Sequence, residues 1–206
     1  MKRTIILCFL IFSFLTLYAD EISFSSSSSE ISLKEGRRQI TLSENAVVDA
    51  GNVRIQAEEI TLSGNEWERV EAKGNIIIDN EEEGINIKTS VLYYDRVNER
   101  ILISSFLEIN DRMNEVSAYA GHLDYLMDDG ILTLSLSVNM NIINDDDVVR
   151  IRAERVVYNR NENTVLVSGN ADVIWRGDEY RAQVITMDLD EERIEMRSNI
   201  EALIHD

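Results

Sequence analysis

The side chains best equipped for chemistry in this sequence are its carboxylates. Asp145-Asp146-Asp147 and Glu81-Glu82-Glu83 are runs of three. A hard cation such as calcium takes several oxygen ligands, and such a run could supply some of them. Neither run sits in EF-hand spacing, so both are expected as solvated hairpin tips. Two carboxylates also suffice to hydrolyse a glycosidic bond, but nothing singles out a pair among 38 Asp and Glu residues. His122 and His205 are the only histidines, and they are far apart in the sequence. No Ser-His-Asp or His-Cys arrangement accompanies them. Tyr94, Tyr125 and Tyr158 return at a near-constant interval. Their hydroxyls could wet the mouth of a groove, although a cross-strand aromatic ladder is the stronger expectation. Trp67, in the turn-like stretch Gly64-Asn65-Glu66-Trp67-Glu68, is expected to cover the local core. No catalytic residue, metal ligand or cofactor is expected.

What must position these side chains is a repeat. With Ala57, Thr89, Ala120, Ala153 and Ala182 as origins, apolar residues recur two and four positions before and three and five after. The origins are 32, 31, 33 and 29 residues apart. The one break is Asp178, four before Ala182. A second half-unit recurs as well. Val165-x-Val167-Ser168-Gly169-Asn170-Ala171 matches Val70-x-Ala72-Lys73-Gly74-Asn75-Ile76 and Ile40-x-Leu42-Ser43-Glu44-Asn45-Ala46, and Ile194-x-Met196-Arg197-Ser198-Asn199-Ile200 repeats it near the end. Self-similarity on this scale is architecture, not a site.

Within each half the apolar residues alternate with polar ones, the period of a strand with one dry face. Between origin and third position the phase slips by one residue. A β-bulge absorbs such a slip and bends the strand. Gly-Asn and Ser-Asn suit a turn or bulge at positive φ. Polar tetrapeptides such as Asn159–Glu162 and Asp95–Asn98 read as hairpin turns. The absence of proline fits uninterrupted ladders. The expected fold is all-β: a single folded-over antiparallel jellyroll of about 14–17 strands. The expected inward set is Val53, Ile55, Ile60, Leu62, Ile87, Leu92, Tyr94, Ile151, Val156 and Tyr158.

The ends of the chain bound its location. Lys2 and Arg3, the apolar run Ile5–Leu17 and a small residue at Ala19 have the form of a signal peptide over 1–19, which predicts export to the periplasm. Residues 20–30, with Ser25–Ser29, read as a flexible polar leader, and 31–206 as the domain. Loss of Lys2 and Arg3 with the leader moves the net charge from −18 to −20. So acidic a chain lacks the basic footprint nucleic acid requires. Cys8 would leave with the leader, so no disulfide or thiolate chemistry is expected.

The repeated unit of strand, Ala-x-x-Val-x-Tyr, turn and Val-x-Val-Ser-Gly-Asn resembles the OstA-like (LptA) family of lipopolysaccharide-transport proteins. Ala57–Ile78, Ala153–Val173 and the partial Ile40–Val48 carry it, and it covers roughly 31–204. The resemblance implies a jellyroll whose interior takes the acyl chains of lipopolysaccharide or a similar glycolipid through the inward set above. It implies head-to-tail assembly with itself, and partners of LptC type at the inner membrane and LptD type at the outer. It brings no catalytic residues. Two other readings remain open: an exported structural repeat protein with a filled core, and a β-helix enzyme acting on polysaccharide. The reversing turn and the phase slip speak against the last.

Overall fold

A computed structural model describes residues 22–34, 38–144 and 147–205. The expected signal peptide, 1–19, lies outside the described residues. The strands are β1 (Ile22–Ser25), β2 (Ser28–Ser32), β3 (Gln39–Ala50), β4 (Val53–Ser63), β5 (Arg69–Asn80), β6 (Ile85–Asp95), β7 (Arg100–Ile103), β8 (Leu107–Asp111), β9 (Val116–Ala120), β10 (His122–Leu126), β11 (Ile131–Asn144), β12 (Asp147–Asn159), β13 (Thr164–Trp175), β14 (Asp178–Asp188), β15 (Arg193–Arg197) and β16 (Glu201–Leu203). They form one 16-stranded sheet, with antiparallel neighbours throughout, such as β3 on β4 and β13 on β14.

The sheet folds over along a line of bulges. Two residues on one strand oppose a single residue on the next: Glu44-Asn45 opposite Glu58, Leu136-Ser137 opposite Glu154, and Gly169-Asn170 opposite Gln183. Both members of each pair have positive φ, as do Gly74-Asn75 and Ser198-Asn199. Two consecutive left-handed residues turn the chain sharply, and the extra residue restores the inward phase beyond the turn. The Gly-Asn signal read from the sequence therefore marks the bend. At mid-chain the strands break instead of bulging. Ser104–Phe106 separate β7 from β8, and Gly121 separates β9 from β10. The Thr89 hydroxyl meets that of Ser105 at 2.8 Å across the first gap.

Each long strand thus contributes one half to each of two layers. The first layer runs β2, the starts of β3 and β5, the ends of β4 and β6, then β7, β10 and on to β15. The second runs β1, the other halves, β8, β9 and on to β16. The apolar halves of the alternation face one another, and a single core of buried Val, Ile, Leu and Ala extends from Ile40 to Leu189.

The Ser-rich leader is not loose where it is described. Residues 22–25 pair with Val47–Ala50, and residues 28–32 with Gln39–Ser43. Ser27 N–H donates to the Glu44 carbonyl at 2.9 Å, so the leader follows β3 round its bend. The reason is backbone. β3 would otherwise present a row of unpaired N–H and C=O groups, and an adjoining strand satisfies them whatever its side chains. Serine composition hid this, because it describes side chains only.

Candidate functional site

All ten inward residues lie on the facing surfaces of the two layers, none more than 4% exposed. Ile60, Leu62, Leu92, Tyr94, Val156 and Tyr158 belong to the first layer, and Val53, Ile55, Ile87 and Ile151 to the second. Cross-strand register sets them in continuous rows. One runs Ile40, Leu62, Val70, Tyr94, Ile101, Tyr125, Leu132, Tyr158, Val165, Met187, with neighbours directly opposite. The tyrosines therefore do not form an aromatic ladder. The repeat spans two strands, so an aliphatic side chain always stands between one ring and the next. Burial pushes the hydroxyls of Tyr125 and Tyr158 up to about 12.

Opposite the bend, two rims of turns come together. The first carries the turns after β4, β6, β10, β12 and β14. The second carries those after β3, β5, β8, β11 and β13. Arg160, at the β12–β13 turn of the first rim, reaches across to the second. Its Nε donates to Asp111 Oδ2 at 2.6 Å and its Nη2 to the Glu83 carbonyl at 2.8 Å. Its Nη1 bonds the Glu83 carboxylate and donates to the Tyr125 hydroxyl at 3.1 Å. The Arg160 and Asp111 side chains are 5% and 2% exposed. Burial alone would lower the guanidinium pKa, but the hydrogen bonds it donates to Asp111 and Glu83 more than offset it, and the group stays charged. Asp111 also caps its own turn, accepting from the Met113 and Asn114 amides, each at 3.1 Å.

Arg176 crosses at the C-terminal end. From the second rim it makes a bidentate pair with Glu192 on the first, at 2.8 and 2.6 Å, and a further bond to Asp147 at 2.6 Å. It lies over the Trp175 ring at 5.6 Å. This strap is half-exposed, unlike Arg160. Towards the N-terminal end a cleft of about 460 Å³ is lined by Ala50–Asn52 and Glu82 on one side and by Tyr94, Arg96 and Glu99 on the other.

The acidic runs divide. Glu81 and Glu82 are exposed at a turn, as expected, but Glu83 is engaged by Arg160. Asp145 and Asp146 lie outside the described residues, and Asp147 is paired with Arg176. Among the described residues, no group of three or more His, Cys, Asp or Glu could hold a metal ion. Trp67 packs partly buried against the core. Asp178, the break in the repeat, accepts from the Tyr180 hydroxyl at 3.2 Å and the His205 amide at 2.8 Å.

The Arg160 cluster was missed from sequence because Arg160 reads as a turn residue. The usable signal is the phase of its partner: Leu107, Ile109, Asp111 puts a carboxylate at an inward position.

No protein-family model matches the chain, and no curated protein does. Among solved structures it is similar to the crystal structure of LptH, the LptA-homologous periplasmic component of the lipopolysaccharide transport device from Pseudomonas aeruginosa. Identity is 14%, covering 91% of this chain and 96% of that one, at a TM-score of 0.31.

Proposed function

We propose that this chain is an exported lipid carrier that shelters the acyl chains of lipopolysaccharide or a similar glycolipid between its two layers and passes them on by end-to-end assembly. The observation that carries this reading is the combination of an apolar interior running the length of the sheet with, among the described residues, an unpaired strand edge at both ends. At the start, β1 and β2 expose Phe24, Ile31 and, just beyond, Leu33. At the finish, β16 exposes Leu203, with exposed Ile200 and Ile204 on either side of the strand. Edge strands bearing apolar side chains are templates for strand addition. A second copy would continue the interior, as would an inner- or outer-membrane partner of LptC or LptD type.

Each buried methylene of a cargo tail contributes about 0.8 kcal/mol. Val53, Ile55, Ile60, Leu62, Ile87, Leu92, Tyr94, Ile151, Val156 and Tyr158 therefore need no chemistry beyond being apolar. The chain is strongly acidic and the phosphates of a glycolipid headgroup are anionic, so binding through acyl chains depends only weakly on salt. A steep loss of affinity with added salt contradicts this.

A photoreactive residue at Ile60 or Val156, with exposed Glu154 as the control, tests the reading in the cell. A glycolipid adduct at the inward positions alone supports the carrier. Absence of an adduct, with the protein folded and the probe reactive, favours the second reading, a structural repeat protein with a filled core. The near-complete burial of the inward side chains favours that alternative.

A further inference from the structure

The mouth is held at mid-length by groups that an apolar core has no need of. The inner row beside the second rim reads Ala50, Val53, Asn80, Ile85, Asp111, Val116. Asp111 places a carboxylate among aliphatic neighbours. The lid position of the first rim, two residues beyond the tyrosine row, is Arg96, Met127, Arg160 and Leu189 in successive units. Met127 and Leu189 are buried there. Two units of the repeat therefore close with apolar lids, whereas the Arg160 unit uses a buried ion pair. Desolvation cancels much of what such a pair gains, so overall stability alone does not call for one here. A guanidinium fork instead holds its acceptors in one geometry and loses them together once they separate. The closed state also leaves the Tyr158 hydroxyl and Asn80 Nδ2 buried without a partner among the described residues. Both can donate, and the ester or amide carbonyl that joins an acyl chain to its headgroup accepts.

We propose that Arg160, Asp111 and Glu83 form a latch between the rims, and that acyl chains enter the interior sideways at this point when the latch opens. The proposal rests on the carrier reading above.

The test uses Arg160→Met with Asp111→Asn in the whole chain. Methionine already serves as the lid at position 127, and asparagine keeps an acceptor for the Met113 and Asn114 amides. Two quantities are measured. One is amide hydrogen exchange at the rim positions 112 and 160, with Gly121 at the bend as the control. The other is the association rate of pyrene-labelled dodecanoic acid. The expected result is about tenfold faster exchange at the rims, none at Gly121, and association faster by a similar factor. Unchanged rim exchange overturns the latch, whatever the probe does. Faster exchange with an unchanged association rate overturns this point of entry. Faster exchange with no binding of the probe to either protein overturns the carrier reading, and the entry role with it.

Discussion

The two long sides of the folded sheet are closed by different means. At the bend, closure is in the backbone: paired left-handed residues recur on alternate strands, and the ladder runs through them without a break in the chain. At the mouth, closure is in side chains and differs from unit to unit. A cleft is lined by both rims near the N-terminal end, a buried ion cluster joins them at mid-length, and an exposed strap ties them at the C-terminal end. The bend is fixed by local conformation, while the mouth depends on a few long-range contacts.

The sharpest way to break that contrast is to cut one mouth contact. Arg160→Ala leaves Asp111 buried without its cation, and removing one partner of a buried pair costs roughly 3–5 kcal/mol. Urea denaturation should show that loss, with Arg160→Met/Asp111→Asn recovering much of it. If Arg160→Ala is silent, the mouth is not held there.

Alkali probes the same region without mutation. Burial raises the hydroxyls of Tyr125 and Tyr158 to about 12 in the folded chain, against about 10 when unfolded. The folded state keeps its protons longer, so the stability they contribute is complete below pH 10 and is lost as pH rises towards 12. The loss is roughly 2 kcal/mol per tyrosine. Tyr158→Phe should flatten half of that decline in a series of melts, and since its hydroxyl has no partner, the substitution should not weaken the fold at neutral pH.

The bend is tested at Gly169. A Cβ there would lie 2.8 Å from Glu154 Cβ, at φ of +75°. Gly169→Ala should cost about 1–2 kcal/mol by chemical denaturation, while Asn170→Gly, at positive φ, should be neutral or slightly stabilising. Last, Arg176→Ala should leave the melting temperature where it was, because exposed pairs contribute little. A marked drop would make the C-terminal strap equal to the buried cluster and erase the distinction between them.

The bend was legible in the sequence and the mouth was not. Gly74-Asn75 and Gly169-Asn170 announce positive φ in residue types that favour it, and the slip from Ala57 to Ile60 shows where the phase must be restored. Leu136-Ser137 adopts the same conformation with no such signal, because flanking pairing imposes it. The inward rows were legible from alternation alone. Arg160 was not, since its partners Glu83 and Asp111 are 77 and 49 positions away, and no local pattern links such residues. The pairing of the serine leader with β3 was hidden for a related reason: the neighbour's open edge decides it.

Because the bend is written once per two-strand unit, the molecule has a natural unit of growth. Gain or loss of one whole unit leaves every remaining side chain on its own face, whereas a shift of one residue turns a strand inside out. Length in such a chain can change by copying, as in other repeat architectures. The distance the molecule spans then follows from the number of hairpins its gene encodes, with no redesign of the parts between.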